Sequence, residues 1–409
     1  MRYRSTRGGD TVSFREALLT GLAPDGGLYL PVEIPLLQVK NWTEGEISAE
    51  DLAALLTEAL NFPVPLIQLE GRGWQGIYVL ELFHGPTLSF KDFGARTMAR
   101  LMAYFLDGGP LTILVATSGD TGSAVADGFA GLPSLRVVLL YPKGLVSPTQ
   151  ERQLIVARPG VQALAVEGTF DDCQRLVKAA FHDTALAGVR LSSANSINIG
   201  RLLPQMLYYH EAVTQGGFSA VNFCVPSGNL GNLTAGVLAW RAGLPVRRFI
   251  AAHNANTFFP NFLAGLPAVF GPTISTRSNA MDVGAPSNFE RLQHLVPATA
   301  FQDTFWGASV DDATTLATMR AVYAETGYLA DPHTAVGLAA AQRYRAATGD
   351  RTPLVVLATA HPAKFPEVVL EALGLVPEMP TRLAQLWNKP VQVETISPVS
   401  EALHPHLLL

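Results

Sequence analysis

The chain of 409 residues carries only two cysteines, Cys173 and Cys224, neither in a CxxC or metal-type spacing. So sparse a supply rules out a disulfide scaffold and suits a reduced compartment; a single structural disulfide stays open. Basic charge is scarce as well. With 29 Lys and Arg against 34 Asp and Glu the net charge is -5, and no Lys/Arg run offers a footprint for nucleic acid. No apolar run reaches the length of a membrane helix, and Met1–Arg7 has no apolar core of the signal-peptide kind. The expectation is a cytoplasmic protein with a small-molecule partner, without nucleic acid or membrane, present as a monomer or homodimer. The nine histidines form no HExxH and GxSxG is missing, while the glycine turn Pro226–Asn232 has neither the GxxxxGK[ST] pattern nor the GxGxxG spacing. Zinc hydrolysis, serine hydrolysis and the common nucleotide folds therefore have no support, and no metal site is expected.

What is present is apolar: 48% hydrophobic residues with 15% charged describe a well-buried globular chain. Its length calls for more than one core. The first 80 residues are short and broken by turns such as Ala23-Pro24-Asp25-Gly26-Gly27. Ser48-Ala49-Glu50-Asp51 reads as a helix start running to about Leu60. From Leu111 the pattern changes to buried apolar runs alternating with helical stretches. Strands are expected at Leu111–Ala116, Leu135–Leu140, Val161–Val166, Ala220–Val225, Arg247–Ala251 and Pro353–Ala358. Such alternation implies parallel sheets covered on both faces. The fold class is thus α/β: two open parallel-sheet units with a site in the cleft between them, at the carboxyl ends of strands. The division expected is 1–80 as an N-terminal accessory region, 81–100 with 200–409 as the large unit, and 101–199 as the small one.

Three stretches carry the chemistry. In Glu81–Arg96 one lysine, Lys91, lies between Phe90 and Phe93 after the turn His84-Gly85-Pro86-Thr87. Burial would disfavour its ammonium and leave an amine able to form a Schiff base; a helix-start lysine reaching for water is the other reading. Pro226-Ser227-Gly228-Asn229-Leu230-Gly231-Asn232 joins a strand to a helix, either as a phosphate cradle of backbone amides or as an ordinary turn. Thr117-Ser118-Gly119-Asp120-Thr121-Gly122-Ser123 is either a seat for a small anion or a capped helix start. One desolvated lysine with two anion cradles suits pyridoxal phosphate and an amino-acid substrate.

In these stretches, and in Ser193–Asn198, Asn279–Val283 and Thr359–Phe365, the chain resembles the threonine synthases of the fold-type-II pyridoxal-phosphate enzymes, nearly end to end. The resemblance implies that Lys91 holds the cofactor and then moves protons. Gly228, Asn229, Leu230, Gly231 and Asn232 would seat the cofactor phosphate, and Thr359 would meet the pyridine nitrogen with a neutral hydroxyl. Ser118, Gly119 and Thr121 would grip the substrate carboxylate, while Asn195, Ser196 and Arg201 would bind the substrate phosphate. Asp120, also placed at the cofactor, stands where much of the wider superfamily has Asn against the phenolic oxygen. An ionised aspartate cannot donate there, so it is either protonated or turned elsewhere. Arg96 and Lys364 receive no role, and His84 and His361 are read as structural. The implied reaction takes O-phospho-L-homoserine and water to L-threonine and phosphate by γ-elimination and β-addition. The alternatives are a serine/threonine dehydratase, whose substrates carry no γ-phosphate, and a non-catalytic protein that only binds the cofactor.

Overall fold

Each continuous apolar run becomes a strand with helices packed on it. The computed structural model describes residues 1–36, 42–43, 45–267 and 269–408. Its strands are β1 (Tyr3–Ser5), β2 (Gly8–Val12), β3 (Tyr29–Pro31), β4 (Leu66–Gln68), β5 (Ile77–Glu81), β6 (Leu111–Ala116) and β7 (Leu135–Pro142). They continue as β8 (Val161–Val166), β9 (Leu191–Ser192), β10 (Val221–Pro226), β11 (Val246–His253), β12 (Phe305–Ser309), β13 (Leu354–Ala358) and β14 (Glu394–Ile396). A small antiparallel sheet has the order β2-β1-β3. A six-stranded sheet has the order β12-β11-β10-β13-β5-β4, and a five-stranded one β14-β8-β7-β6-β9. All neighbours in the two larger sheets run parallel except β4 against β5.

β6, β10 and β13 are buried along their whole length, as continuous apolar strands in a sheet covered on both faces should be. The helix Pro332–Thr348 lies under the six-stranded sheet, where a Cβ on Gly337 would meet Val356 and Pro226 at 2.7 and 2.8 Å. The helix Lys91–Phe105 crosses the helix Asp120–Phe129 closely: a Cβ on Gly128 would stand 3.2 Å from the backbone of Ala95. That crossing sets the lysine of one helix against the glycine loop that opens the other.

The sheets cut across the division read from the sequence. β4 and β5, inside the stretch read as accessory, complete the six-stranded sheet, because β5 buries Ile77, Val79 and Leu80 beside β13. β14, inside the stretch given to the large unit, pairs with β8 on the edge of the five-stranded sheet. There Ile396, Leu403 and Leu407 join the core of Val138, Leu140 and Leu176. β12 is not among the strands expected from the sequence, since Gly307 and Ser309 interrupt its apolar pattern. The expected helix after Ser48 runs Ala49–Ala59, with Ser48 Oγ accepting from Asp51 N at 3.0 Å. Both cysteines are buried and free, Cys173 in a helix of the five-stranded unit and Cys224 on β10. No described helix is long and apolar enough to cross a membrane.

Candidate active site

The ends of β13 and β6 are tied to Lys91, the first by backbone bonds and the second through Asp120. The turn before it is laced to the end of β13: Leu82 N donates to Ala358 O at 3.0 Å and Phe90 N to Thr359 O at 2.9 Å. Lys91 is thereby the first residue of its helix, its own N–H donating to Ser89 Oγ at 3.2 Å. Asp92 locks the turn from behind, accepting from Thr87 N at 2.9 Å and Thr87 Oγ1 at 2.7 Å. A Cβ on Gly85 would stand 2.3 Å from this carboxylate, so the turn closes only with glycine there. Burial raises Asp92 to about 6 even though the Thr87 bonds pull the other way. Lys91 keeps some solvent contact, yet enough protein surrounds the amine that burial lowers it to about 8. Asp120 acts against that fall, and Lys364 and Arg201 add to it.

The loop after β6 is shaped by Thr117, whose Oγ1 accepts from Gly119 N at 3.0 Å and Gly122 N at 2.8 Å. Gly119 takes a φ of 133°, and a Cβ there would stand 2.6 Å from Gln150. Ser118 and Thr121 are half-buried, and neither hydroxyl bonds protein among the described residues. Asp120 is ionised, its carboxylate paired with Lys364 and directed by Gln150. Its Oδ1 meets Lys364 Nζ at 2.8 Å and accepts from Gln150 Nε2 at 3.0 Å. Burial alone would raise this carboxyl, but Lys364 and Lys91 together hold it far below the ordinary carboxylate range.

The turn after β10 is built for close approach. A Cβ on Gly228 would stand 2.7 Å from Met281 O, and Leu230 sits in the left-handed region at φ 60° to open the helix Gly231–Arg241. The first amides of that helix have no intrahelical acceptor and face outward from its positive end. The asparagine side chains brace the turn. Asn232 accepts from Ser227 Oγ at 2.6 Å and donates to Pro226 O at 2.8 Å. Asn229 Oδ1 accepts from Ser287 N at 2.6 Å. Asn229 Nδ2 donates to Ser196 Oγ at 2.7 Å, which brings the turn and the 193–201 segment together.

In that segment Asn195 Nδ2 donates to Ala116 O at 3.2 Å, while its Oδ1 is buried without a partner. Arg201 is buried; Nη1 donates to Ala194 O, and Nε has no acceptor. Burial lowers it to about 10, so it is still a cation at neutral pH. A Cβ on Gly94 would stand 2.5 Å from Arg201 O, so the lysine helix and this arginine fit only across glycine. Thr359 is buried at the end of β13, its hydroxyl free of protein bonds among the described residues.

Sequence reasoning missed Gln150, Asn288 and Arg291. Gln150 could have been found, since Ser147-Pro148-Thr149-Gln150 forms a reciprocal capping box that fixes it at a helix start. Arg291 carries no sequence signal. Fully buried, it donates to Tyr29 O at 3.1 Å, Ser196 O at 2.9 Å and Asn288 Oδ1 at 2.7 Å. It thus ties the N-terminal sheet to the 193–201 segment. Among the motif histidines, His84 pairs with Glu81 at 2.7 Å and His361 caps its own turn by accepting from Ala363 N at 3.1 Å.

The model of the pyridoxal-phosphate dependent enzymes matches residues 58–360. Those of the threonine synthase N terminus and C-terminal region match 2–59 and 334–406. The threonine synthase of Escherichia coli K12 is 42% identical over 409 aligned residues, covering 93% of each chain. That of Serratia marcescens is 43% identical, covering 95% of this chain and 94% of its own. The chain belongs to the threonine synthase family. A solved threonine synthase from Brucella melitensis, described as PLP-bound, superposes with a TM-score of 0.90 at 36% identity, covering 100% of this chain and 98% of that one. Seen as a threonine-synthase site, the residues here fit the cofactor by their own chemistry. They supply a desolvated amine, a glycine turn at a helix start packed against the backbone of Met281, a hydroxyl at the end of β13 free of protein bonds among the described residues, and a buried guanidinium with an orphaned nitrogen.

Proposed function

We propose that the protein is a threonine synthase, converting O-phospho-L-homoserine and water to L-threonine and phosphate by γ-elimination and β-addition. The observation that carries this is the meeting, in one cleft, of the Lys91 amine with a buried arginine that forms no ion pair among the described residues, Asp92 acting on it only at a distance. A dehydratase substrate has no γ-phosphate, and burying a cation for it would be costly without return.

Pyridoxal phosphate, when bound, supplies the electron sink for charge left on the substrate carbons. The residues do the rest. The amides of Gly228–Asn232 hold the cofactor phosphate at the helix start. Thr359 offers the ring nitrogen a neutral hydroxyl, which leaves the ring a milder sink than a carboxylate partner would. Ser118, Gly119 and Thr121 orient the substrate carboxylate. Arg201, with Asn195 and Ser196, binds the substrate phosphate and steadies it as it leaves, the guanidinium fork matching two phosphate oxygens. Lys91, with its amine available near neutral pH, takes the α-proton; general-base transfer of this kind contributes about 10²–10⁴-fold. The same reading makes the protein a cytoplasmic monomer or homodimer whose partner is a small phosphorylated amino acid.

The test is direct. Purified protein should be yellow, lose the colour on borohydride with the label on the Lys91 peptide, and release phosphate from phosphohomoserine in step with threonine. Release of pyruvate from serine, or of 2-oxobutyrate from threonine, in its place would assign it to the dehydratases.

A further inference from the structure

Lys364 lies outside every role assigned above, yet no lysine among the described residues is more deeply enclosed. Its side chain is fully buried, and its Nζ is 2.8 Å from Asp120 Oδ1 and donates to Thr87 O at 2.9 Å. Asp120 also uses Oδ1 for Gln150, which leaves Oδ2 without a protein hydrogen bond among the described residues. The pair therefore spans the site, from the turn that carries Lys91 to the glycine loop facing it. A buried ion pair is a poor source of stability, because desolvating two charges costs about what their attraction returns. A pair kept beside a working amine calls for an electrostatic explanation.

We propose that Lys364 is a positioning residue of the reaction: it holds Asp120 as a carboxylate toward Lys91, and the two charges together govern when Lys91 gives up its proton. This rests on Lys91 being the working amine. The two charges oppose one another: Asp120 favours the ammonium of Lys91 and Lys364 disfavours it. Arg201, the other charge facing Lys91, also disfavours the ammonium. Lys364 in turn faces Asp92 and His361, both held in place by bonds of their own. Gln150 is neutral; it fixes the direction of the carboxylate and leaves the charge balance alone.

The experiment measures the titration of Lys91 in the full-length chain stripped of cofactor. The probe is competitive acetylation by acetic anhydride across pH, read on the Lys91 peptide by mass spectrometry. The expected midpoint in the parent protein is about 8. Asp120→Asn should lower the midpoint and Lys364→Met raise it, each by roughly one pH unit. Lys364→Arg, which keeps the charge, should leave it near the parent value, and the double variant should fall between the two single ones. If Lys364→Met fails to fold, the comparison moves to Asp120→Asn against Asp120→Asn/Lys364→Met, in which both buried charges are gone; the double variant must then titrate above the single one. Equal midpoints in Asp120→Asn and Lys364→Met, or in that fallback pair, would overturn the proposal and leave Lys364 a structural tie to Thr87. The assignment of Lys91 as cofactor lysine is read separately. Borohydride label on another lysine would defeat that assignment, whereas label on Lys91 with unmoved midpoints would defeat only this inference.

Discussion

Arg201 is buried with one guanidinium nitrogen on the carbonyl of Ala194 and its Nε on nothing in the protein. A ligand phosphate would satisfy what the fold leaves open, and hydrogen bonds to charged groups contribute about 1.5–3 kcal/mol. Arg201→Ala should therefore raise KM for phosphohomoserine by about 10–100-fold, at about 1.4 kcal/mol per tenfold. Arg201→Lys should recover little, because an ammonium cannot reproduce the fork. Initial-rate kinetics decide it: an unchanged KM in both variants would remove Arg201 from the phosphate site. Lys91 makes a second prediction with a definite sign. Its folded value of about 8 lies below the ordinary 10.5, so below about pH 8 a rising share of the chain holds it as ammonium. The rate at which stripped protein takes up pyridoxal phosphate, followed by absorbance, should climb about tenfold per pH unit below 8 and flatten above it. Between about 8 and 10.5 the folded chain binds fewer protons at this residue than the unfolded one. This residue's contribution to stability therefore grows as pH rises through that window.

At the scale of elements, the turn after β10 shows what substitution should do. A Cβ at residue 228 would enter the backbone of Met281, whose carbonyl oxygen is 2.7 Å away and cannot swing aside like a side-chain end. Gly228→Ala should cost about 1–3 kcal/mol of local strain and weaken cofactor binding, measured by fluorescence titration, at least about tenfold. An alanine variant that binds the cofactor as tightly as the parent would show that the turn is not the phosphate seat. This turn was readable in the sequence because a continuous apolar strand, two glycines and a helix start follow one another directly. β6, β7, β8, β10, β11 and β13 were readable for the same reason. β4 and β14 were not: of their six residues only Ile396 is buried, so neither carries an apolar run. The site divides in the same way. Lys91 and the two glycine loops stand in local patterns that chemistry can interpret, whereas Arg201 is reached only through the family resemblance. Asp120's partner depends on Lys364, 244 residues further along the chain by their numbers, and no local pattern encodes that meeting.

For the whole molecule, what matters is how often the chain passes between the two large sheets. It enters the six-stranded sheet at β4 and β5, leaves to build β6 through β9, returns for β10 through β13, and ends at β14 beside β8. The last passage is anchored by Arg152, which donates to the carbonyls of Leu386, Trp387 and Lys389 and stacks on Trp387 at 5.2 Å. Beyond it, the helix Ser400–Leu407 sets Leu403 and Leu407 into the core of the five-stranded sheet. The far end of the chain therefore completes the smaller unit, whose loop carries Ser118, Asp120 and Thr121. Leu403→Ala should cost about 2–5 kcal/mol, and the loss should be felt where Leu403 packs. Because units of this kind open separately, hydrogen exchange should quicken in β7 and β8 and remain unchanged in β10 and β13. A uniform rise across both sheets would mean instead that they unfold as one body, and that the cleft between them is fixed by the same cooperative core.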